Sequence, residues 1–512
     1  TGAASGTGTL IDPRIHLIYD SSGVGIAGAF NDDGFGDSRE SFMLFTASYT
    51  GTYYIAAGGW DVEVGTYELA VSDVTSTHAG SLPYGPTNAE TLPNFEYIDA
   101  SGDFRIDGLL GGSRYTLDPD GTTTTITYSI PTSSSNFSDR FYIDYGGFER
   151  LEPWDEFLGL TAGQQTVFHA VIADVASFID VNFTQVADVY GSAGTIRAGW
   201  TGVPSLDAAA WASFPADSPL ASDIWFIRDN MDETAADNYF QYVLIHELGH
   251  SLGLKHTFES DVYFPAIPAA YDSHQWSVMA YDFHASYSDA YAADLYPQTY
   301  MYFDILALQY LYGARDTNIG NDTYVFDGNQ RYYLTMWDTG GNDTIKFVNQ
   351  TSGIIINLDG GQWQDVGTTI HYDTSHGPET ETYTVYIPQE VLIENVYGTD
   401  YSDVITANSV NNDLRGLAGN DSMSGGFGDD YIDGGRGQDD LTGGLGIDIF
   451  ITRSGDGGAS VSDADMVFDF TDGQDFIGLN GLTYADLTIE AGTGVNSGDS
   501  VISITLTGEY LM

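Results

Sequence analysis

Apolar positions along this chain follow three spacings. Between 161 and 179, Val167, Val171, Ile172, Val175 and Ile179 recur at helical spacing, so one face of a helix is apolar. Thr161 and Gln164 open it as a capping box, each side chain accepting the other's backbone N–H. Short apolar runs at 181–185, 195–200 and 223–227 predict strands. From 398 to 451 an apolar residue returns at every ninth position: Ile405, Leu414, Met423, Ile432, Leu441 and Phe450. Neither a helix nor an ordinary strand has that period.

Two residues before each of these stands Asp403, Asn412, Asp421, Asp430, Asp439 or Asp448. Gly416, Gly425, Gly434 and Gly443 open their units, and Gly428, Gly437 and Gly446 hold the fourth place. Each unit thus reads as a glycine-rich turn of six residues and a strand of three whose apolar residue points inward. Two units complete a coil, so alternate units stack. Asp403, Asp421 and Asp439 then line one edge, and Asn412, Asp430 and Asp448 the other. Stacked carboxylates repel unless a cation lies between them, and Ca²⁺ takes carboxylate and backbone carbonyl oxygens. The pattern is similar to the G-G-x-G-x-D-x-U-x repeat of RTX proteins, which implies a parallel β-roll stabilised by several calcium ions.

Composition narrows the class. Lys+Arg is 15 against Asp+Glu 73, a formal net charge of -58. Such a chain repels nucleic acid and anionic membrane surfaces, so neither is expected as a partner. The same charge suits calcium binding or a saline medium that screens it. Gly is 61 against Pro 15, which favours turns over disordered linkers, and Tyr 35 with Phe 27 argue further against disorder. Cys is 0, so no disulfide braces the fold and metal ions are the expected staple. The length of 512 residues allows about three domains.

The stretch His246-Glu247-Leu248-Gly249-His250-Ser251-Leu252-Gly253-Leu254-Lys255-His256 carries the chemistry. It fits H-E-x-x-H-x-x-G-x-x-H at every fixed position. Histidines four apart on a helix stand one above the other on one face and can reach a single zinc ion at about 2.0–2.1 Å. Gly253 falls where the helix must end, and glycine accepts the left-handed turn that brings His256 round as a third ligand. Three protein ligands leave a coordination position for water, the layout of a catalytic zinc site. Glu247, beside the first ligand, is the candidate general base.

Downstream, Ser277-Val278-Met279-Ala280-Tyr281 resembles the Met-turn of the metzincin peptidases, and the tyrosine two after the methionine resembles the serralysin and astacin families. That likeness implies Met279 as an apolar floor beneath the histidines. It also implies Tyr281 as a displaceable zinc ligand that then hydrogen-bonds the oxyanion. Residues 303–314 resemble the helix that closes a serralysin protease domain. Asn318, Gly320 and Asp322, then Asp338, Gly340, Gly341 and Asp343, resemble that family's first calcium loops, and Glu394 matches the segment supplying a further carboxylate. The family has an arginine carbonyl ligand where Asn318 stands. Asp107–Leu110 and Thr122–Ile130 resemble the start of its catalytic domain. Residues 1–75 resemble the bacterial pre-peptidase C-terminal domain, a small β-sandwich in which Asp32-Asp33 reads as an ordinary turn.

The expected architecture is therefore α+β and multidomain. A partial all-β sandwich spans 1–92, a metzincin zinc-protease domain spans 96–315, and a calcium-binding β-roll with a terminal β-sandwich spans 316–512. The expected function is secreted, extracellular, broad-specificity zinc endopeptidase of a bacterium, acting on protein and peptide substrates as a monomer. An extended substrate would pair with an edge strand at 209–213. The resemblance also implies a type I secretion channel and a proteinaceous inhibitor as partners. The rival reading is a calcium-dependent adhesion or polysaccharide-binding protein, which has no need of Glu247 beside three ligands. The seven other histidines, His16, His78, His169, His274, His284, His371 and His376, lack ligand spacing and are expected to be structural or exposed.

Overall fold

A computed structural model describes residues 95–117, 123–133, 156–189, 193–202, 208–216, 221–260, 263–287, 289–493 and 499–512. It also gives the backbone of strands 13–19, 25–31, 54–59, 141–143 and 149–151. The first three of these strands form an antiparallel sheet with Pro13–Tyr19 at its centre. The rest of the expected N-terminal sandwich, Asp32-Asp33 included, lies outside the described residues.

Among the described residues the α-helices are α1 (Phe104–Asp107), α2 (Ala162–Phe178), α3 (Asn238–Ser251) and α4 (Tyr302–Tyr312). Helix α2 starts on the expected capping box: Gln164 N–H donates to Thr161 Oγ1 at 3.3 Å, and Thr161 N–H to Gln164 Oε1 at 3.0 Å. Gln164 is fully buried and does more than cap. It accepts from Trp200 Nε1 at 3.2 Å and donates to the Ala235 carbonyl at 2.7 Å, tying α2 to the sheet and to the approach to α3. Val171, Ile172, Val175 and Ile179 are buried as the spacing predicts.

The sheet beside these helices has five strands in the order Ala210–Ala212, Ile224–Ile227, Ile196–Thr201, Thr124–Ser129, Val181–Gln185. All neighbours run parallel except the first, which is antiparallel and lies at the edge. Every residue of Ile196–Thr201 and Ile224–Ile227 is buried, as central strands covered on both faces require. Helix α3 packs its Phe240 against Phe226, ring centroids 4.9 Å apart.

From Thr323 the chain winds into two sheets whose roll strands run parallel. One stacks Val404–Thr406, Ser422–Phe427, Asp440–Leu445 and Met466–Val467; the other stacks Asn395–Tyr397, Asp413–Arg415, Tyr431–Asp433, Ile449–Arg453 and Phe476–Asn480. Ile405 pairs with Met423 and Met423 with Leu441, while Leu414 pairs with Ile432 and Ile432 with Phe450. All six are buried, so the ninefold apolar spacing is the core of the roll.

Ala290–Ala293, ahead of residue 315, pairs antiparallel with Gln362–Thr374, the first arm of a long hairpin completed by Gly377–Ile387. Alternation within that hairpin gives no sign of its partner. Where a terminal sandwich is expected, the described residues show an antiparallel ribbon of Leu487–Ala491 and Ser500–Ile504, with Tyr510 bridging Ser503 and Gly458. No described helix is long and apolar enough to cross a membrane.

Candidate metal centres

Helix α3 begins where Asp237 accepts the Phe240 N–H at 3.0 Å, and it carries His246, Glu247 and His250, all buried. It ends at Gly253, whose φ is +104° and where a Cβ would collide with the Ser113 carbonyl. Handedness and close approach both require glycine. The turn carries the chain back past His250, whose Nδ1 lies 2.7 Å from the Leu254 carbonyl.

The three imidazoles converge. His256 Nε2 lies 3.3 Å from His246 Nε2 and 3.1 Å from His250 Nε2. Each Nδ1 faces an oxygen that only accepts: the Val278 carbonyl at 2.7 Å from His246, the Leu254 carbonyl from His250, and Glu259 Oε1 at 2.9 Å from His256. The proton therefore sits on each Nδ1, and three Nε2 lone pairs point at one place. Such lone pairs repel one another unless a cation lies among them, so the donor set fits zinc. Burial, and next the neighbouring histidines, push His246 down to about 3 and His250 well below its usual range, keeping both neutral as metal binding requires.

Glu247 is buried beside this cluster, its Oε2 has no hydrogen-bond partner, and burial pushes its carboxyl up to about 8. Tyr281 presents its hydroxyl 2.9 Å from His256 Nε2 while its ring stays exposed. Met279 is fully buried, and a Cβ on Gly249 would stand 2.7 Å from its sulfur, so the Met-turn presses directly on α3. Asp304, fully buried in α4, holds that turn: it accepts from Ser277 Oγ at 2.5 Å, Val278 N–H at 2.8 Å and Met301 N–H at 2.9 Å. Asp304 and Glu259 were not visible as site residues in the sequence, because neither belongs to a spaced motif. Elsewhere, Tyr242 bonds the buried His274 at 2.8 Å, Glu381 bonds His284 at 3.2 Å, and Asp289 bonds the exposed His376 at 2.7 Å.

A second cluster joins Asp322, Asp338 and Asp343, whose carboxylates lie within 4.8 Å of one another. Asp343 Oδ2 is buried without a partner, and Glu394 Oε2 accepts the Asp343 N–H at 2.7 Å. Asn318 adopts φ +52° beside them, and Gly341 lies so close to the Gly320 carbonyl that no Cβ fits; Gly340 has φ +150°.

The aspartate columns of the roll form as expected. Asp403 N–H donates to Asp421 Oδ1 at 2.7 Å, and Asp421 N–H to Asp439 Oδ1 at 2.9 Å. Asn412 N–H donates to Asp430 at 2.8 Å, and Asp430 N–H to Asp448 at 3.1 Å. Both columns run one step further than the repeat. Asp439 donates to Asp465, and Asp448 to Asp475, each at 3.1 Å. The Oδ2 atoms of Asp421, Asp430, Asp439 and Asp465 are buried without partners. At Gly416, Gly425, Gly434 and Gly443 a Cβ would strike the Asp421, Asp430, Asp439 and Asp448 carboxylates. Gly428, Gly437 and Gly446 have φ +107°, +145° and +150°. Burial pushes Asp421 up to about 8 and Asp430 to about 7, with like charges next in each column adding to it. Orphaned carboxylate oxygens in a column with this charge fit calcium.

Residues 305–491 match the family profile described as Peptidase M10 serralysin C terminal, and residues 228–322 one described as Met-zincin. The chain is 32% identical over 362 residues to the metallopeptidase AprA of Pseudomonas marginalis, covering 65% of this chain and 69% of that protein. It is 28% identical over 359 residues to the serralysin of Proteus mirabilis, covering 64% and 67%. With serralysin B of Dickeya chrysanthemi the identity is 32% over 264 residues, covering 46% and 50%. These matches span between half and about two thirds of the relatives' own lengths. The fold and the convergent histidines define a metzincin. Within that class, the chain belongs to the serralysin-type zinc metalloendopeptidases.

Proposed function

We propose that the chain is a secreted endopeptidase that cleaves extracellular proteins with broad specificity. The observation that carries this reading is the convergence of three imidazole Nε2 atoms next to buried Glu247, whose Oε2 has no hydrogen-bond partner. Zinc held by His246, His250 and His256 would supply a Lewis acid that polarises the scissile carbonyl and acidifies water. Glu247 takes the proton of the attacking water and delivers it to the leaving amine. Tyr281, whose hydroxyl rests against His256 Nε2 at 2.9 Å, would turn to donate a hydrogen bond to the developing oxyanion. The Ala210–Ala212 edge strand is positioned to pair with an extended substrate through main-chain bonds, which read little of the side chains.

Calcium completes the reading. Asp322, Asp338, Asp343, Glu394 and the two roll columns would hold it, and Asp465 and Asp475 extend the ligand set. In a low-calcium cytosol the like charges oppose the roll, so the chain would stay unfolded for a type I export channel and fold on reaching external calcium. Glu247→Ala, assayed on casein in calcium-containing buffer, tests the catalytic reading. It should keep one zinc per chain and lose nearly all hydrolysis, because Glu247 holds a proton and no metal bond. Wild-type turnover in this variant would overturn the assignment.

A further inference from the structure

His256 differs from the other two imidazoles in what surrounds it. His246 and His250 are buried on α3, whereas His256 stands on the loop after Gly253 with its side chain 17% exposed. The ring of Phe258 lies almost parallel to it, centroids 5.1 Å apart and planes 7° apart. Phe258 also packs on Tyr281, centroids 4.9 Å apart and planes inclined by 54°. The two rings are 46% and 58% exposed, so a pair of large aromatic side chains faces solvent at the rim of the metal centre. Large rings gain most when covered, and aromatic pairs add a directional contribution.

We propose that Phe258 determines specificity, its open face receiving an apolar and preferably aromatic substrate side chain next to the scissile bond. This rests on the peptidase reading above. When Tyr281 turns from His256 toward the substrate carbonyl, it gives up its contact with Phe258 and leaves that ring wetter. An aromatic substrate side chain restores the lost contact, and an alanine side chain cannot. The site therefore accepts many sequences through the edge strand, yet works faster where a ring covers Phe258. The preference should be roughly two- to twelve-fold in kcat/KM, the range an aromatic pair contributes.

The test uses the full chain in calcium and two quenched-fluorescence peptides that differ only in Phe or Ala beside the scissile bond. One such pair is made for each side of that bond. Wild-type protein should favour Phe over Ala by that factor on one of the two sides. In Phe258→Ser the Phe/Ala ratio should collapse toward one with one zinc per chain retained, and Phe258→Trp should keep the ratio. A ratio unchanged in Phe258→Ser overturns the proposal. So does an equal fall for both peptides accompanied by zinc loss, since Phe258 would then only brace His256. A wild-type chain that cleaves no peptide at all sinks the peptidase reading, and this proposal with it.

Discussion

Asp304→Ala is the sharpest probe of how the fold sets the metal site. The wild-type carboxylate is fully buried and takes three hydrogen bonds, from Ser277 Oγ, Val278 N–H and Met301 N–H. Alanine strands two buried peptide donors, at Val278 and Met301. Each costs about 1–3 kcal/mol, so the loss should be about 2–6 kcal/mol. The Ser277 hydroxyl can rotate and adds little. Both peptide donors bond the same oxygen, Oδ2, so Asn can keep both with its amide oxygen there and turn its NH₂ toward the Ser277 hydroxyl, which can rotate to accept; Asp304→Asn should therefore lose much less than alanine. The damage should reach zinc, because Val278 offers its N–H to Asp304 and its carbonyl to His246 Nδ1. Once the backbone at Val278 can turn, His246 loses the acceptor that fixes its tautomer, and removing such a support lowers metal affinity by about 10–100-fold. The assay is competition for zinc against a chromogenic chelator, alongside thermal melting in calcium. Wild-type zinc affinity in Asp304→Ala, with unchanged melting, would refute the chain of contacts from α4 to the metal ligands.

Three further outcomes follow from the same contacts. Tyr281→Phe should lower kcat by an amount equivalent to about 2.7–4 kcal/mol with little change in KM, the cost of an oxyanion donor; steady-state kinetics on one peptide checks it, and an unchanged kcat would leave Tyr281 as packing only. In excess chelator, melting of residues 316–512 should depend on pH in an unusual direction. The folded carboxyls of Asp421 and Asp430 sit near about 8 and 7, above their ordinary value of 3.8, so the fold binds more protons than the unfolded chain. Stability should be highest in acid and fall as pH rises from about 4 to about 8; saturating calcium should reverse the trend, because ligation needs the charged form, and a calcium-free roll most stable at pH 8 would contradict it. Gly253→Ala should reduce stability and zinc affinity together, since φ is +104° and its Cβ would meet the Ser113 carbonyl; isothermal zinc titration that matches wild type would show that the turn adapts.

Features with a short, regular period were legible in the sequence. The four-residue step from His246 to His250 works through helix geometry alone, and Gly253 announces the turn that brings in His256. The roll was legible because its turns repeat identically, so Asp421 and Asp439 had to stack. Residues recruited across long loops were not. Asp465 and Asp475 continue the columns at intervals of 26 and 27 residues, which breaks the eighteen-residue step. Asp304 reads as an unremarkable helix position, and its role exists only because α4 packs on the Met-turn. The pairing of Ala290–Ala293 with the hairpin at 362–387 likewise depends on tertiary placement rather than on either segment's pattern.

The central claim, that one metal held by His246, His250 and His256 carries peptide hydrolysis, is tested most directly by titrating zinc into stripped protein with calcium kept in excess. Metal content and casein cleavage are measured on the same samples. Cleavage should start near zero, rise in proportion to bound zinc and level off at one equivalent per chain. Full cleavage in the zinc-free protein, or a plateau unrelated to occupancy of a single site, would contradict the account.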